Sequence, residues 1–408
     1  MKNRTRMATM AVALLCVAGS IAACGGSSSS SGSSSAAAAS SAAAPASSAA
    51  APASSAAAAA SSAAPASSAA PAKELNVVWT YTGPENDGGY NVINEKAMNA
   101  MATVPGVKVQ AIYNVPYSDQ GSQMIKQAIA AGANVIVDTV GLGKLLTDVC
   151  KASPDVVCYS GADAEPQPAN SKSWWLEDWN LGYTAGVAAG LMTKTGTLGM
   201  VVPYQIPIAN QAINSFTLGC QSVKPDCKVK VVFTNNYFDP AAATQAAKTL
   251  VSAGADVLRN VTDDPSFCKV AEEQGVYAVG EYNDFASQCP KSIITSTVWD
   301  FSNYMIEEAK AIQAGNFQSS GEAPTFRKVS VDVGEPGLGA FGDFVPADVK
   351  AQVEDTFNQL VGGAKVFVGP ITDTDGKVRV KAGETMDDQT LFHGQDYLVQ
   401  GVTTSGGS

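Results

Sequence analysis

Asp87, Tyr90 and Asn91 concentrate the most binding chemistry in the fewest residues. They lie in Gly83-Pro84-Glu85-Asn86-Asp87-Gly88-Gly89-Tyr90-Asn91, after the β-favouring run Val77-Val78-Trp79-Thr80-Tyr81 and before the helix-spaced Val92-Ile93-Asn94-Glu95-Lys96-Ala97-Met98. A carboxylate, an aromatic face and an amide on one loop are groups that hold a small polar molecule. The glycines let the backbone come close to it. The loop sits at the carboxyl end of a strand, where open α/β sheets bind ligands.

Groups for catalysis are scarce. His393 is the only histidine and lies near the C-terminus, which argues against Ser-His-Asp and Cys-His arrangements. Gly141-Leu142-Gly143-Lys144 lacks the spacing of a phosphate loop, and Leu145 stands where Ser or Thr is needed. Asp263-Asp264 is a carboxylate pair, but sequence supplies no through-space separation for glycosidase chemistry. With no C-x-x-C and no paired histidine, neither a metal nor any other cofactor is expected. The expected protein is not an enzyme.

Aromatic, amide and acidic residues instead recur at the ends of apolar runs. Tyr204 follows one, Asn235-Asn236-Tyr237-Phe238-Asp239 another, Thr262-Asp263-Asp264 a third and Glu281-Tyr282-Asn283-Asp284 a fourth; Trp299-Asp300 ends the last, and Trp174, Trp175 and Trp179 cluster midway. Aromatic faces beside carboxylates and amides suit a flat heterocycle with polar edges, since base–aromatic stacking is worth roughly 1–3 kcal/mol per base.

These residues need a scaffold, and the spacing predicts one. Strands are expected at 77–81, 107–113, 135–137, 156–159, 174–176, 198–202, 229–234, 256–261, 277–281 and 293–298. Helices are expected at 118–131, 142–151, 181–193, 208–222, 240–253, 265–274, 301–314 and 345–360. Alternation of this kind means α/β, and its restart near Leu198 suggests two doubly wound lobes. Gly182, Gly186 and Gly190 should let the 181–193 helix approach a neighbour closely. Asp375-Gly376 between 365–371 and 377–380 signals a hairpin.

Of the 408 residues, the first 72 read as something other than a domain. Lys2, Arg4 and Arg6 precede an apolar stretch too short to span a bilayer, followed by Ile21-Ala22-Ala23-Cys24. Residues 1–23 are expected to be a secretory signal resembling that of bacterial lipoproteins, with Cys24 the lipid-modified mature N-terminus. Residues 24–72, almost all Ser, Ala, Gly and Pro, are expected to be a disordered tether, reaching roughly 35–42 Å by flexible-chain scaling. The net charge of −11 and the lack of a basic cluster argue against a nucleic-acid partner. In an exported chain, Cys150 with Cys158, Cys220 with Cys227 and Cys268 with Cys289 are expected as disulfides; six cysteines allow 15 connectivities, and the local one is expected.

The chain resembles the basic membrane protein family of bacterial lipoproteins, whose members are type I substrate-binding proteins of ABC importers and include purine nucleoside receptors. The motifs are Asp87-x-Gly89-Tyr90-Asn91, similar to the family's D-x-[SG]-[FYW]-N; Gly182-Tyr183-Thr184-Ala185-Gly186-x-x-Ala189-Gly190 with Thr193-Lys194-Thr195-Gly196; Gly254-Ala255-Asp256-Val257; and Gly275-Val276-Tyr277-Ala278-Val279-Gly280. The resemblance implies the type I periplasmic-binding-protein fold, two Rossmann-like lobes joined by a three-segment hinge, with crossings near 180–194, 284–291 and 321–328. Lobe 1 would comprise 73–185 and 292–322, lobe 2 would comprise 186–291 and 323–395, and 396–408 would be a tail. Tyr90 matches the family's stacking aromatic, Asp87 and Asn91 its polar contacts, and Asp284 the segment that holds ribose. Trp299 departs from the family, standing where nucleoside-binding members carry lysine, and this favours a purine base over a ribonucleoside.

The expected function is capture of a purine base or related heterocycle and its delivery to an ABC permease, by a monomer lipid-anchored on the extracytoplasmic face of the cell membrane. Tyr90 and Trp299 would stack on the ligand, Asp87, Asn91, Asp263 and Asn283 would meet its edge, and Asp284, Trp179 and Tyr237 are further ligand contacts. A sensing lipoprotein of the same fold is the alternative; an extracellular nucleoside hydrolase or a surface adhesin has less support.

Overall fold

The computed structural model describes residues 73–405 except 86, 140, 164, 323–324, 328–336 and 394, and gives only the backbone of 325–327. The expected signal peptide, Cys24 and the tether lie outside the described residues. The first half alternates Leu75–Thr80 (β1), Tyr90–Met101 (α1), Val107–Ile112 (β2), Asp119–Ala130 (α2), Val135–Asp138 (β3), Lys144–Ala152 (α3), Val157–Gly161 (β4) and Ser171–Leu176 (β5). Then come Asp178–Met192 (α4), Thr197–Val202 (β6), Pro207–Val223 (α5), Lys228–Phe233 (β7), Pro240–Ser252 (α6), Val257–Asn260 (β8), Ser266–Gln274 (α7), Tyr277–Tyr282 (β9), Ile293–Val298 (β10) and Ser302–Gln313 (α8). The remainder holds Thr325–Arg327 (β11), Gly337–Leu338 (β12), Ala347–Val361 (α9), the antiparallel pair Ile371–Thr372 (β13) and Val378–Val380 (β14), Asp388–His393 (α10) and Val402–Ser405 (β15).

Two sheets result. Lobe 1 has the order β2-β1-β3-β4-β5-β11, all parallel. Lobe 2 has β15-β7-β6-β8-β9-β10-β12, parallel except for β12. The five leading strands of each lobe repeat one doubly wound order, with a switch point between β1 and β3 and again between β6 and β8. β1 is almost wholly buried because helices cover both faces of a parallel sheet. This is the type I periplasmic-binding architecture.

The lobe boundaries differ from those expected. β10 pairs with β9 and β12, so residues 293–298 belong to lobe 2 and not to lobe 1. α4 packs on α5, α9, β9 and β10, so residues 178–185 also belong to lobe 2. β11 pairs with β5 and therefore belongs to lobe 1. The first crossing falls at Glu177, between β5 and α4, and the second at 299–301, before α8 packs on α1. The third lies between β11 and β12. The local pattern of an apolar strand does not specify which sheet receives it.

The expected tail is also structural: β15 adds to lobe 2 beside β7. The segment before it is tied to α5, where Asn214 Nδ2 donates to Gln395 Oε1 (2.8 Å) and Tyr397 O (2.9 Å) and Asn214 Oδ1 accepts from Val399 N (2.8 Å). Cys150–Cys158, Cys220–Cys227 and Cys268–Cys289 are bonded, the local pairing expected.

α4 and α5 touch backbone to backbone. A Cβ on Gly186 would lie 2.1 Å from Phe216 O, and one on Gly219 would lie 2.0 Å from Tyr183 O. Gly186→Ala should therefore destabilise the fold by about 1–3 kcal/mol or more, seen as a lower calorimetric melting temperature; an unchanged value would show that the helices can move apart freely.

Candidate functional site

A cavity of about 610 Å³ opens at the carboxyl ends of both sheets. Its walls come from the carboxyl ends of the strands and the segments that follow them: β1 (Thr82, Gly83, Tyr90, Asn91), β2 (Asn114, Tyr117), β3 (Thr139) and β5 (Trp175, Asp178), then β6 (Tyr204, Ile206), β7 (Tyr237), β8 (Asp263), β9 (Glu281, Tyr282) and β10 (Trp299). Both switch points feed it.

Four rings form its aromatic wall. Tyr90 meets Trp175 (centroids 6.0 Å), Tyr282 (5.7 Å) and Trp299 (6.1 Å). Trp299 also meets Trp175 (5.4 Å) and Tyr282 (4.9 Å). Tyr90 Oη donates to Thr139 O at 2.7 Å, which fixes the ring. Tyr90 and Trp299 lie edge to face, at 85° to each other. Trp299 Nε1 is buried with no hydrogen-bond partner among the described residues.

The loop between β1 and α1 has a mainly architectural role. Asp87 Oδ1 accepts from Gly89 N (2.9 Å) and Oδ2 from Asn91 N (3.0 Å), placing a carboxylate at the start of α1, where the helix dipole favours it. Asp87 is buried and does not line the cavity. Asn91 lines it, but its Nδ2 donates to Pro84 O at 2.8 Å. The loop then docks on lobe 2. A Cβ on Gly89 would sit 2.6 Å from Asp263 Cα, and Asn283 Nδ2 donates to Gly88 O and Gly89 O, each at 3.1 Å. Asn283 is thus a contact between the lobes and not a lining residue.

Of the other expected site residues, Asp263, Tyr237 and Trp299 line the cavity. Trp179 is buried in α4 and does not. Asp284 faces away: its Oδ1 accepts from Ala286 N and its Oδ2 from Ala340 N, both at 3.0 Å. It follows its strand by two residues, and at that offset the chain has already turned out of the cleft. The wall residues Trp175, Glu281 and Tyr282 sit in runs already singled out at strand ends, but nothing local distinguished them from their neighbours. Asp178 carried no motif; its one signal was a carboxylate just past an apolar strand.

Acidic groups accumulate here without matching bases. Arg259 binds Glu281, through Nε (3.2 Å) and Nη2 (3.0 Å) to Oε2. Gln211, its amide oriented by its neighbours, donates to both Asp178 oxygens at 3.1 Å and accepts from Trp179 N at 3.0 Å. Burial pushes Asp178 up to about 8, helped by the Glu281 charge. Burial likewise raises Asp87 to about 6, and raises Asp263 well above the usual range with Asp87 as the next cause. Asp138, behind Thr139, is also raised by burial to about 6.

Carboxyls whose folded pKa exceeds the unfolded value bind more protons in the native state across the window between the two. Their contribution is greatest below about 4 and is lost as pH rises through 6 to 8. The melting temperature of the ligand-free protein should thus be higher at pH 5.5 than at pH 8.5; a rise over that interval would contradict the burial of these acids. Gly89→Ala should push the loop off Asp263 and weaken ligand binding by roughly 1–3 kcal/mol with little loss of helix content, measured by calorimetry and circular dichroism.

Residues 74–327 match the Bmp family, described as ABC transporter substrate-binding protein PnrA-like. A purine-binding protein of Brucella abortus is 33% identical over 337 residues, covering 81% of this chain and 93% of that one. Solute-binding proteins of ABC systems share the fold. One from Aeropyrum pernix has a TM-score of 0.61 at 16% identity, covering 72% of this chain and 94% of that one. One from Conexibacter woesei has a TM-score of 0.55 at 22% identity, covering 71% and 97%.

Proposed function

The chain belongs to the Bmp family of PnrA-like ABC-transporter substrate-binding proteins, and from that premise we propose that its ligand is a purine, taken as the free base in preference to the ribonucleoside. It is a binding protein and not an enzyme; it works outside the cytoplasm and hands a small ligand to permease subunits. Among the described residues no helix is long and apolar enough to cross a membrane. Attachment through a lipid on Cys24, with the Ser/Ala/Pro stretch as tether, is part of the proposal, as is action as a monomer.

The observation that carries the purine reading is the wall of Tyr90, Trp175, Tyr282 and Trp299 facing buried carboxyls in one cavity. Aromatic lining favours a flat π-system, and acids in the same cavity favour ring nitrogens and amino groups over an aliphatic solute. The 33% identical relative is itself named as purine-binding. The position of Asp284 supports base over nucleoside, because the residue expected to meet ribose is bonded to Ala286 and Ala340 instead. Tyr90, Trp299, Asn91, Tyr237 and Asp263 line the cavity in which this ligand would sit. Asp87 and Asn283 act indirectly, by seating the loop on lobe 2.

A thermal-shift series tests this. A purine at a hundred times its Kd should stabilise the protein by about 2.7 kcal/mol, with adenine or hypoxanthine shifting the melting temperature more than their ribonucleosides. A shift produced by a sugar or an amino acid, and by no purine, would overturn the reading.

A further inference from the structure

Asp178 and Glu281 reach the cavity from different elements, the first turn of α4 and the carboxyl end of β9. Both are buried. One guanidinium serves the pair, and Glu281 holds it: both Arg259 contacts to the carboxylate fall on Oε2, and Nη1 goes to Gly182 O at 3.2 Å. Oε1 of Glu281 is the oxygen left for the cavity. No ion pair reaches Asp178 among the described residues. Gln211 supplies donors to both Asp178 oxygens, while its own acceptor is taken by Trp179 N. A proton on Asp178 therefore finds no acceptor on Gln211. The charged groups facing Asp178 are Glu281 from β9 and Arg259 from β8, with the Trp175 indole and the Gln211 amide the uncharged ones. Two buried carboxyls sharing one cation retain one negative charge between them.

We propose that Glu281 and Asp178 are the specificity pair of the site, the Glu281 carboxylate accepting an N–H from the ligand edge while the Asp178 carboxyl donates its proton to the adjacent ring nitrogen. This rests on the purine-binding reading and narrows it. The pair selects planar heterocycles that present a donor beside a lone pair, such as the N6–H/N1 edge of adenine or the N9–H/N3 edge of a free base. The proton count agrees with the geometry, since burial and the Glu281 charge keep Asp178 neutral up to about pH 8.

Titration calorimetry with adenine from pH 6 to pH 9, on the wild type, Asp178→Asn and Glu281→Gln, tests the proposal. Wild-type affinity should be level up to pH 7 and fall about tenfold by pH 9, as a group titrating near 8 loses its proton. Asp178→Asn, whose amide still offers a donor, should bind within about threefold of the wild type at pH 7 and lose the decline. Glu281→Gln should bind roughly ten- to a hundredfold more weakly. If Glu281→Gln fails to fold with Arg259 unpaired, the other two profiles decide the matter. A level wild-type profile, or a tenfold loss in Asp178→Asn at pH 7, would overturn the proposal and leave purine binding standing. No adenine or other purine bound by the wild type would overturn the functional reading and the proposal with it.

Discussion

Everything at the site depends on the loop of lobe 1 seating against lobe 2. Gly88 and Gly89 present their carbonyls to Asn283, and Gly89 leaves no room for a side chain against Asp263. That contact brings Tyr90 against Tyr282 and Trp299 and so closes the aromatic wall. Each edge-to-face pair adds about 0.5–1.5 kcal/mol beyond simple burial. Several such pairs therefore hold the lobes together at the cavity. Asp87 contributes from behind, by fixing the first turn of α1 and with it the direction of Tyr90.

The same seating explains the electrostatics. Asp87 comes from lobe 1 and Asp263 from lobe 2; burial raises both, and the Asp87 charge is the next cause that raises Asp263. Burying acids without bases is costly unless they are protonated or hydrogen-bonded. The structure uses both devices: Arg259 and backbone N–H groups hold some of the acids, and protonation neutralises others. A binding site that keeps polar edges unsatisfied is poised for a ligand that satisfies them, and the unpartnered indole N–H of Trp299 is of the same kind.

Most of the fold was legible because it is written in local patterns. Strands such as Val135–Asp138 are short apolar runs, helices such as Pro240–Ser252 carry their own start signal in Asp239, and both recur in alternation. Lobe membership was not, since Ile293–Val298 would be as apolar in either sheet. Nor was the end of the chain, where pairing of Val402–Ser405 with β7 comes from tertiary contact and not from a strong strand pattern. At the site, the strand-end rule found Tyr90, Tyr237, Asp263 and Trp299. It failed for Asn283 and Asp284, which lie just past Tyr282 and turn away, and it passed over Asp178, which is brought in by the crossing from β5 to α4. A motif gives the loop, but only the fold shows which side chain faces the cavity and which faces the other lobe.

Whether the cleft holds a free purine is most directly tested by native mass spectrometry of the protein purified from its host without added ligand. The account predicts a bound species whose mass increment, and whose released compound, is that of a purine base. Release of a hexose or an amino acid in its place would contradict it.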